Sequence, residues 1–280
     1  MDSPVFQAKN LGYAYNGGIT ALAGVNLEIA AGEKVAILGA NGSGKSTLLK
    51  LLDGLFYPSS GELWAFGRLL TQESMADAEY VLAFRSRVGL VFQDPDVQLF
   101  CPTVWDEVAF GPLQLGLSQQ DVRNRVGDTL ALLEIERLAQ RPPYHLSGGE
   151  KKKVALASVL SLDLEVLLLD EPTASLDPRS QAHLVDLIGE LHQAGKTIVT
   201  ATQDLDIVEE IADRAYILNE KNELAAEGGV AEILASREIL LDANLVHEHV
   251  HRHDGTTHAH PHRHLTFHEH EHKGQTVERK

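Results

Sequence analysis

The sequence predicts an α/β fold, and three observations predict it. KVAIL at residues 34–38 is a short apolar run of strand length, followed by a glycine-rich loop and then by STLLKLLDGL, whose apolar spacing is that of an amphipathic helix. EVLLLDEP at residues 165–172 is a second continuous apolar run, of the kind that forms a central parallel strand buried on both faces. Strand-like and helix-like segments alternate through a 280-residue chain with 44% hydrophobic content, which supports one or two domains with a substantial core.

The loop between the first strand and its helix is GANGSGKST: Gly39, Ala40, Asn41, Gly42, Ser43, Gly44, Lys45, Ser46 and Thr47. It fits G-x-x-x-x-G-K-[ST] in the strand-loop-helix context that a phosphate-binding loop requires. Gly39 and Gly44 let the backbone turn tightly enough for several N–H groups to face one anion, and the helix N-terminus adds its dipole. Lys45 is placed to reach the β- and γ-phosphates of a nucleotide. Ser46 would set its hydroxyl on Mg²⁺, and Thr47 would accept further phosphate contacts. Gly54 closes the helix.

LSGGE, residues 146–150, precedes KKKVALASVLS, which reads as a long helix, so small residues again expose backbone N–H groups at a helix start. Ser147 with Glu150 three positions later is equally the pattern of a capping box. The strand that follows delivers Asp170 and Glu171 to the carboxyl edge of a sheet, where ligands bind in α/β folds. At a phosphoryl-transfer site these acids take separate tasks: Asp170 holds the Mg²⁺ shell and Glu171 orients or polarises the attacking water.

Composition narrows the function classes. A formal net charge of -16 argues against a general nucleic-acid binder, which needs a basic surface. The lysines at 151–153 read as a solvated helical face. No apolar stretch reaches the ~20 uninterrupted residues needed to span a bilayer, and the N-terminus lacks a signal-peptide pattern, so a cytoplasmic location is expected. The single cysteine, Cys101, reads as a small packing residue rather than a nucleophile. His145, His183 and His192 stand alone, His145 beside LSGGE and the other two on a solvent-facing helix.

In their order, these motifs resemble the ABC ATPase family over residues from about 5 to about 235. The resemblance implies an ABC cassette with a RecA-like phosphate-loop core, an antiparallel β subdomain and a helical subdomain. It identifies GANGSGKST as Walker A, LSGGE as the signature, Asp170 and Glu171 as the Walker B acid and catalytic glutamate, and SLD ending at Asp177 as the D-loop. Tyr15 matches the aromatic residue that stacks on adenine, with Tyr13 the weaker candidate. Gln93 matches the glutamine that touches the metal and moves with a transmembrane partner. Two cassettes are then expected to pack head to tail as a homodimer, with Ser147, Gly148 and Gly149 of one capping the ATP held by Walker A of the other. At the switch position, where the family usually has histidine, TIVTATQDLD places Gln203. An amide can donate to the γ-phosphate but cannot become a cation, so slow basal hydrolysis is expected.

DPDVQLFCPTVWDEVAFGP, after Gln93, resembles the helical-domain entrance of ATPases from energy-coupling-factor transporters. That resemblance implies a transmembrane coupling subunit, a substrate-specific membrane subunit, and a peripheral place on the cytoplasmic face of the membrane. Phe92, Val97, Leu99 and Phe100 would line the groove for the membrane partner or serve as core. An ATPase for a vitamin transporter and a metal-binding nucleotide switch are the alternatives.

The C-terminal segment carries His247, His249, His251, His253, His258, His260, His262, His264, His268, His270 and His272, mostly at alternate positions. Imidazole suits Ni²⁺, Co²⁺, Cu²⁺ and Zn²⁺. Interleaved Glu, Arg, Ala and Thr distinguish it from an appended tag. With the cassette it points to nickel or cobalt import. The expected layout is a cassette over residues 1–243 and a disordered His-rich tail over 244–280. Within the cassette, antiparallel β structure is expected over about 1–35 and 60–92 and a helical insert over about 95–160.

Overall fold

The computed structural model describes residues 4–253 and 256–263, with side chains described as far as Val246. Four strands, β1 (Phe6–Tyr15), β2 (Ile19–Ile29), β4 (Ser60–Ala65) and β5 (Arg68–Leu69), form an antiparallel sheet in the order β2-β1-β4-β5. β1 and β2 make a hairpin from Phe6↔Ile29 to Tyr15↔Ile19, turned at Gly17 and Gly18, both at positive φ.

The central sheet has the order β10-β9-β3-β8-β7-β6. Its strands are β3 (Lys34–Leu38), β6 (Val88–Val91), β7 (Val166–Asp170), β8 (Thr197–Thr202), β9 (Arg214–Leu218) and β10 (Leu224–Gly229). All pairings are parallel except β9 with β10. Every residue of β6, β7 and β8 is buried, as expected for strands covered on both faces. Leu38 pairs with Thr202 and Asp170 with Ala201, so β3, β7 and β8 end at one edge. That shared edge is where the functional residues collect.

Helices α1 (Lys45–Leu52), α2 (Ala78–Arg85), α3 (Val104–Gln114), α4 (Gln119–Leu132), α5 (Gly148–Leu160), α6 (Pro178–Gln193), α7 (Val208–Ile211), α8 (Val230–Ala235) and α9 (Arg237–Asp242) complete the cassette. α1 turns its apolar side inward and leaves Ser46 and Lys50 only partly buried. Leu48, Leu49, Leu51 and Leu52 are all fully buried, in the core that joins residues of both sheets. A second core joins α3, α4 and α5 to β7 and α6, and a third packs α7, α8 and α9 on β3 and β9.

Two sequence expectations need correction. The antiparallel region does not run through residue 92, because Val88–Val91 pairs in parallel with Val166–Leu169 of β7. Four consecutive buried residues suit the central sheet, not a half-exposed one. The lysines at 151–153 are not a solvated face: Lys152 is buried, and Lys151 and Lys153 are partly so. Leu245 and Val246 are buried in the third core. β11 (Val246–His253) and β12 (Thr256–Arg263) then form a separate antiparallel pair with His247↔His262, His249↔His260 and His251↔His258 in register. His264, His268, His270 and His272 lie outside the described residues.

Candidate functional site

The phosphate loop leaves the end of β3 and enters α1 through Gly44, which adopts φ 101°. A Cβ there would collide with the Ala21 carbonyl oxygen, and one on Gly39 with the Ser43 hydroxyl. Both glycines are therefore required by close approach as well as by the turn. Lys45 folds back over the loop, donating to the carbonyls of Gly39 at 2.8 Å and Ala40 at 3.2 Å. Its Nζ lies 3.5 Å from Glu171 Oε1.

Across the sheet edge, Ser46 Oγ donates to Asp170 Oδ1 at 3.0 Å. Two of the three side chains assigned to Mg²⁺ are thus already adjacent. Glu171 follows Asp170 at φ 44°, an uncommon conformation for a non-glycine residue. Its amide donates to the Ala201 carbonyl at 2.9 Å, and its Oε2 accepts from Thr202 Oγ1 at 3.0 Å. Its Oε1 is buried with no hydrogen-bond partner among the described residues.

The electrostatics show a site short of counter-charge. Burial pushes the Lys45 ammonium down, with Glu171 pulling it back up. Burial also raises Asp170 and Glu171, opposed chiefly by the Ser46 hydrogen bond and by Lys45 respectively. A triphosphate would stabilise the cation, and a divalent metal the carboxylates. The hard oxygen donors at Ser46 and Asp170 fit Mg²⁺.

Tyr15, Asn41, Gly42, Gly44, Lys45, Ser46, Thr47, Gln93 and Glu171 line one cleft of ≈ 330 Å³. Tyr15 donates or accepts one hydrogen bond with Thr47 Oγ1 at 2.8 Å and packs edge-on to Tyr13 and Phe56. Tyr13 instead stacks on Phe56 in the core, which leaves Tyr15 as the exposed aromatic residue of the cleft.

Ser147, Gly148, Gly149, Asp177 and Gln203 do not line this cleft. Ser147 caps α5 with a full capping box to Glu150. Ser147 and Gly148 are exposed and Gly149 is partly so, open to a second surface. Asp177 caps α6 through Ser180, whose hydrogen bonds hold its carboxyl below the usual range. Gln203 follows the last residue of β8 and is half-buried. Cys101 has its thiol pushed up to about 11 by burial and then by Glu107, which suits packing and not nucleophilic chemistry.

Three supporting residues escaped the sequence reading. Thr202 orients Glu171. Buried Glu107 accepts from the amides of Phe100 and Cys101 at 2.9 and 2.7 Å and fixes the loop after Gln93. Lys152 Nζ donates to the carbonyls of Gln93 and Glu171. Only Thr202, one residue before Gln203, carried a positional signal.

Residues 22–174 match the ABC transporter family. The chain is 50% identical over 247 residues to the nickel import ATP-binding protein NikO of Rhodobacter capsulatus, covering 87% of this chain and 96% of that protein. Among solved structures it resembles CbiO1 of Clostridium perfringens, part of the ABC transporter complex CbiONQ, with TM-score 0.72, 37% identity, and coverage of 87% and 95% of the two chains. It also resembles the dimeric ATP-binding cassette MJ0796 bound to ADP and Pi, with TM-score 0.73, 31% identity, and coverage of 80% and 98%. The motifs, their convergence at one sheet edge and these likenesses together show that the chain belongs to the ABC transporter family, as an ATP-hydrolysing cassette.

Proposed function

We propose that this chain powers import of nickel or cobalt through a membrane transporter, acting as a homodimer on the cytoplasmic face of the membrane. The observation that carries the motor role is the pairing of Ser46 with Asp170 and of Lys45 with Glu171 in one cleft that lacks the signature residues. ATP held by Lys45 and the loop amides would be completed by Ser147, Gly148 and Gly149 of a second copy. The dimeric state of the MJ0796 cassette supports that assembly.

Ser46, Asp170 and Gln93 would hold Mg²⁺, and the chemistry that the ion would supply there is neutralisation of charge on the phosphate oxygens. Glu171, held by Thr202, orients water for attack on the γ-phosphate. Asp177 and Gln203 complete the site on dimer closure. Gln93 reports the nucleotide state to a transmembrane coupling subunit, and Val97 and Phe100, both 68% exposed, offer that subunit an apolar contact. A substrate-specific membrane subunit selects the ion. Among the described residues no helix is long and apolar enough to cross a membrane, so the translocation path belongs to partners.

The nickel or cobalt assignment is supported by the nickel-importing relative and by the alternating tail histidines. Uptake of Ni²⁺ and Co²⁺ into vesicles carrying the assembled complex tests the reading. The Glu171→Gln variant should bind ATP yet import neither ion, and normal uptake by it would exclude a transport motor. If both ions fail with the native chain while a vitamin enters, the cargo assignment falls and the motor role stands.

A further inference from the structure

Lys152 is a lysine in an unusual place. It is 6% exposed, in the lysine-rich stretch near the start of α5, and its Nζ donates to the carbonyl of Gln93 at 3.0 Å and to that of Glu171 at 2.8 Å. Burying an ammonium is costly unless its hydrogen bonds are made. Burial does push it below its ordinary range, while Asp170, Glu171 and Asp94 hold it up. An apolar residue would pack here without that cost, so the two carbonyl contacts are what the lysine adds.

Those carbonyls belong to the two residues assigned to communication and to catalysis. The Glu171 carbonyl also follows a backbone held at φ 44°, a conformation that needs support from its surroundings. Ser147, the N-cap of α5, lies less than two turns before Lys152. Its neighbour reinforces the same junction: Lys151 Nζ lies 2.6 Å from Asp96 in the loop after Gln93.

We propose that Lys152 is a positioning residue that ties the signature helix to the Gln93 loop and to the catalytic glutamate of the same chain. The consequence rests on the head-to-tail dimer. Ser147 then acts on the partner's ATP while Glu171 acts on its own, so one ammonium links the two composite sites. A shift of α5 on closure is delivered to Glu171, and a shift of the Gln93 loop reaches both.

The test uses the full chain, comparing Lys152→Met, which keeps the stem and removes the donors, with Lys152→Gln, whose amide retains two N–H donors. We expect Lys152→Met to bind ATP within about twofold of the native affinity and to lose about tenfold or more in kcat with KM nearly unchanged. Lys152→Gln should return kcat to within about fivefold of native. A native kcat in Lys152→Met, a parallel loss of ATP affinity, or a Lys152→Gln enzyme outside that range would overturn the proposal. If Lys152→Met does not fold, the Lys152→Gln result decides alone. Size-exclusion of Glu171→Gln with ATP reports separately on the dimer: its failure to dimerise removes the link between sites, whatever the Lys152 variants do.

Discussion

Thr202 Oγ1 donates a 3.0 Å hydrogen bond to Glu171 Oε2 from the neighbouring strand, and both residues are buried. A carboxylate with one oxygen held by a hydroxyl and the other 3.5 Å from the Lys45 ammonium is aimed, because rotation of the group would break the hydrogen bond and the ion pair together. The same hydroxyl accepts from the Asp204 amide at 3.0 Å, so Thr202 also fixes the start of the loop that carries Gln203.

Thr202→Val keeps the shape and removes both contacts. It should lower kcat about tenfold, with ATP affinity retained, and cost about 1–2 kcal/mol of stability from the unpaired Asp204 amide. Thr202→Ser restores the hydroxyl and should recover most of the turnover. Steady-state ATPase assays beside equilibrium ATP binding check this, and a Val variant as active as the native chain would refute the aiming role.

Gly44→Ala tests the loop by sterics. The added Cβ meets the Ala21 carbonyl oxygen and lies 2.8 Å from Leu22 Cδ2, at a backbone φ of 101°. A strained non-glycine residue costs about 1–3 kcal/mol before any clash. Denaturant midpoints should fall accordingly, and nucleotide affinity should drop about tenfold or more because the loop amides diverge from one focus. Equal affinity in the folded variant would show that the phosphates do not sit on this loop.

Much of this site was legible because its markers are local. KVAIL reads as β3 and VLLLD as β7 from apolar runs alone, and Lys45, Asp170 and Glu171 are placed by the ends of those strands. Thr202 and Lys152 were not legible for the opposite reason. Thr202 is 31 positions from Glu171, and Lys152 is 59 from Gln93, so their roles exist only after the strands and α5 are packed. A triple lysine after a helix start looks like solvated charge until burial is known. Val88–Val91 was misplaced because four apolar residues carry no sign of which sheet they join.

Asp53 gives a pH prediction away from the cleft. It is 4% exposed, and burial raises its carboxyl to about 6 against the opposing pull of Arg85, whose Nη1 lies 2.8 Å away. An acid raised on folding holds its proton longer in the native state, so between pH 4 and 6 the native state binds more protons than the unfolded chain. Its contribution to stability is therefore lost as pH rises through that window, by about 3 kcal/mol at most. Asp53→Asn, which can still accept from Arg85, removes this dependence. The stability difference between variant and native chain should move in the variant's favour from pH 4 to 6 and then level off, as read from denaturant midpoints. A difference that is flat with pH would show that Asp53 titrates normally.

Gln203 carries the last prediction. It follows Thr202 at the end of β8, so it is tethered within two residues of the group that aims Glu171, yet it does not line the cleft around Lys45. On closure it would act by donating an amide hydrogen to the γ-phosphate, a contact whose strength does not change with pH. A histidine there can donate as neutral imidazole or as a cation, and the cation stabilises developing negative charge more strongly. Gln203→His should therefore raise kcat in the assembled complex, by about threefold or more, and give the profile a new dependence near pH 6–7 that the native chain lacks. The two readouts separate causes: a faster enzyme with an unchanged pH profile would mean that shape, and not charge, limits the native switch. Unchanged turnover would mean that glutamine serves fully in place and that slow hydrolysis has no basis at this position.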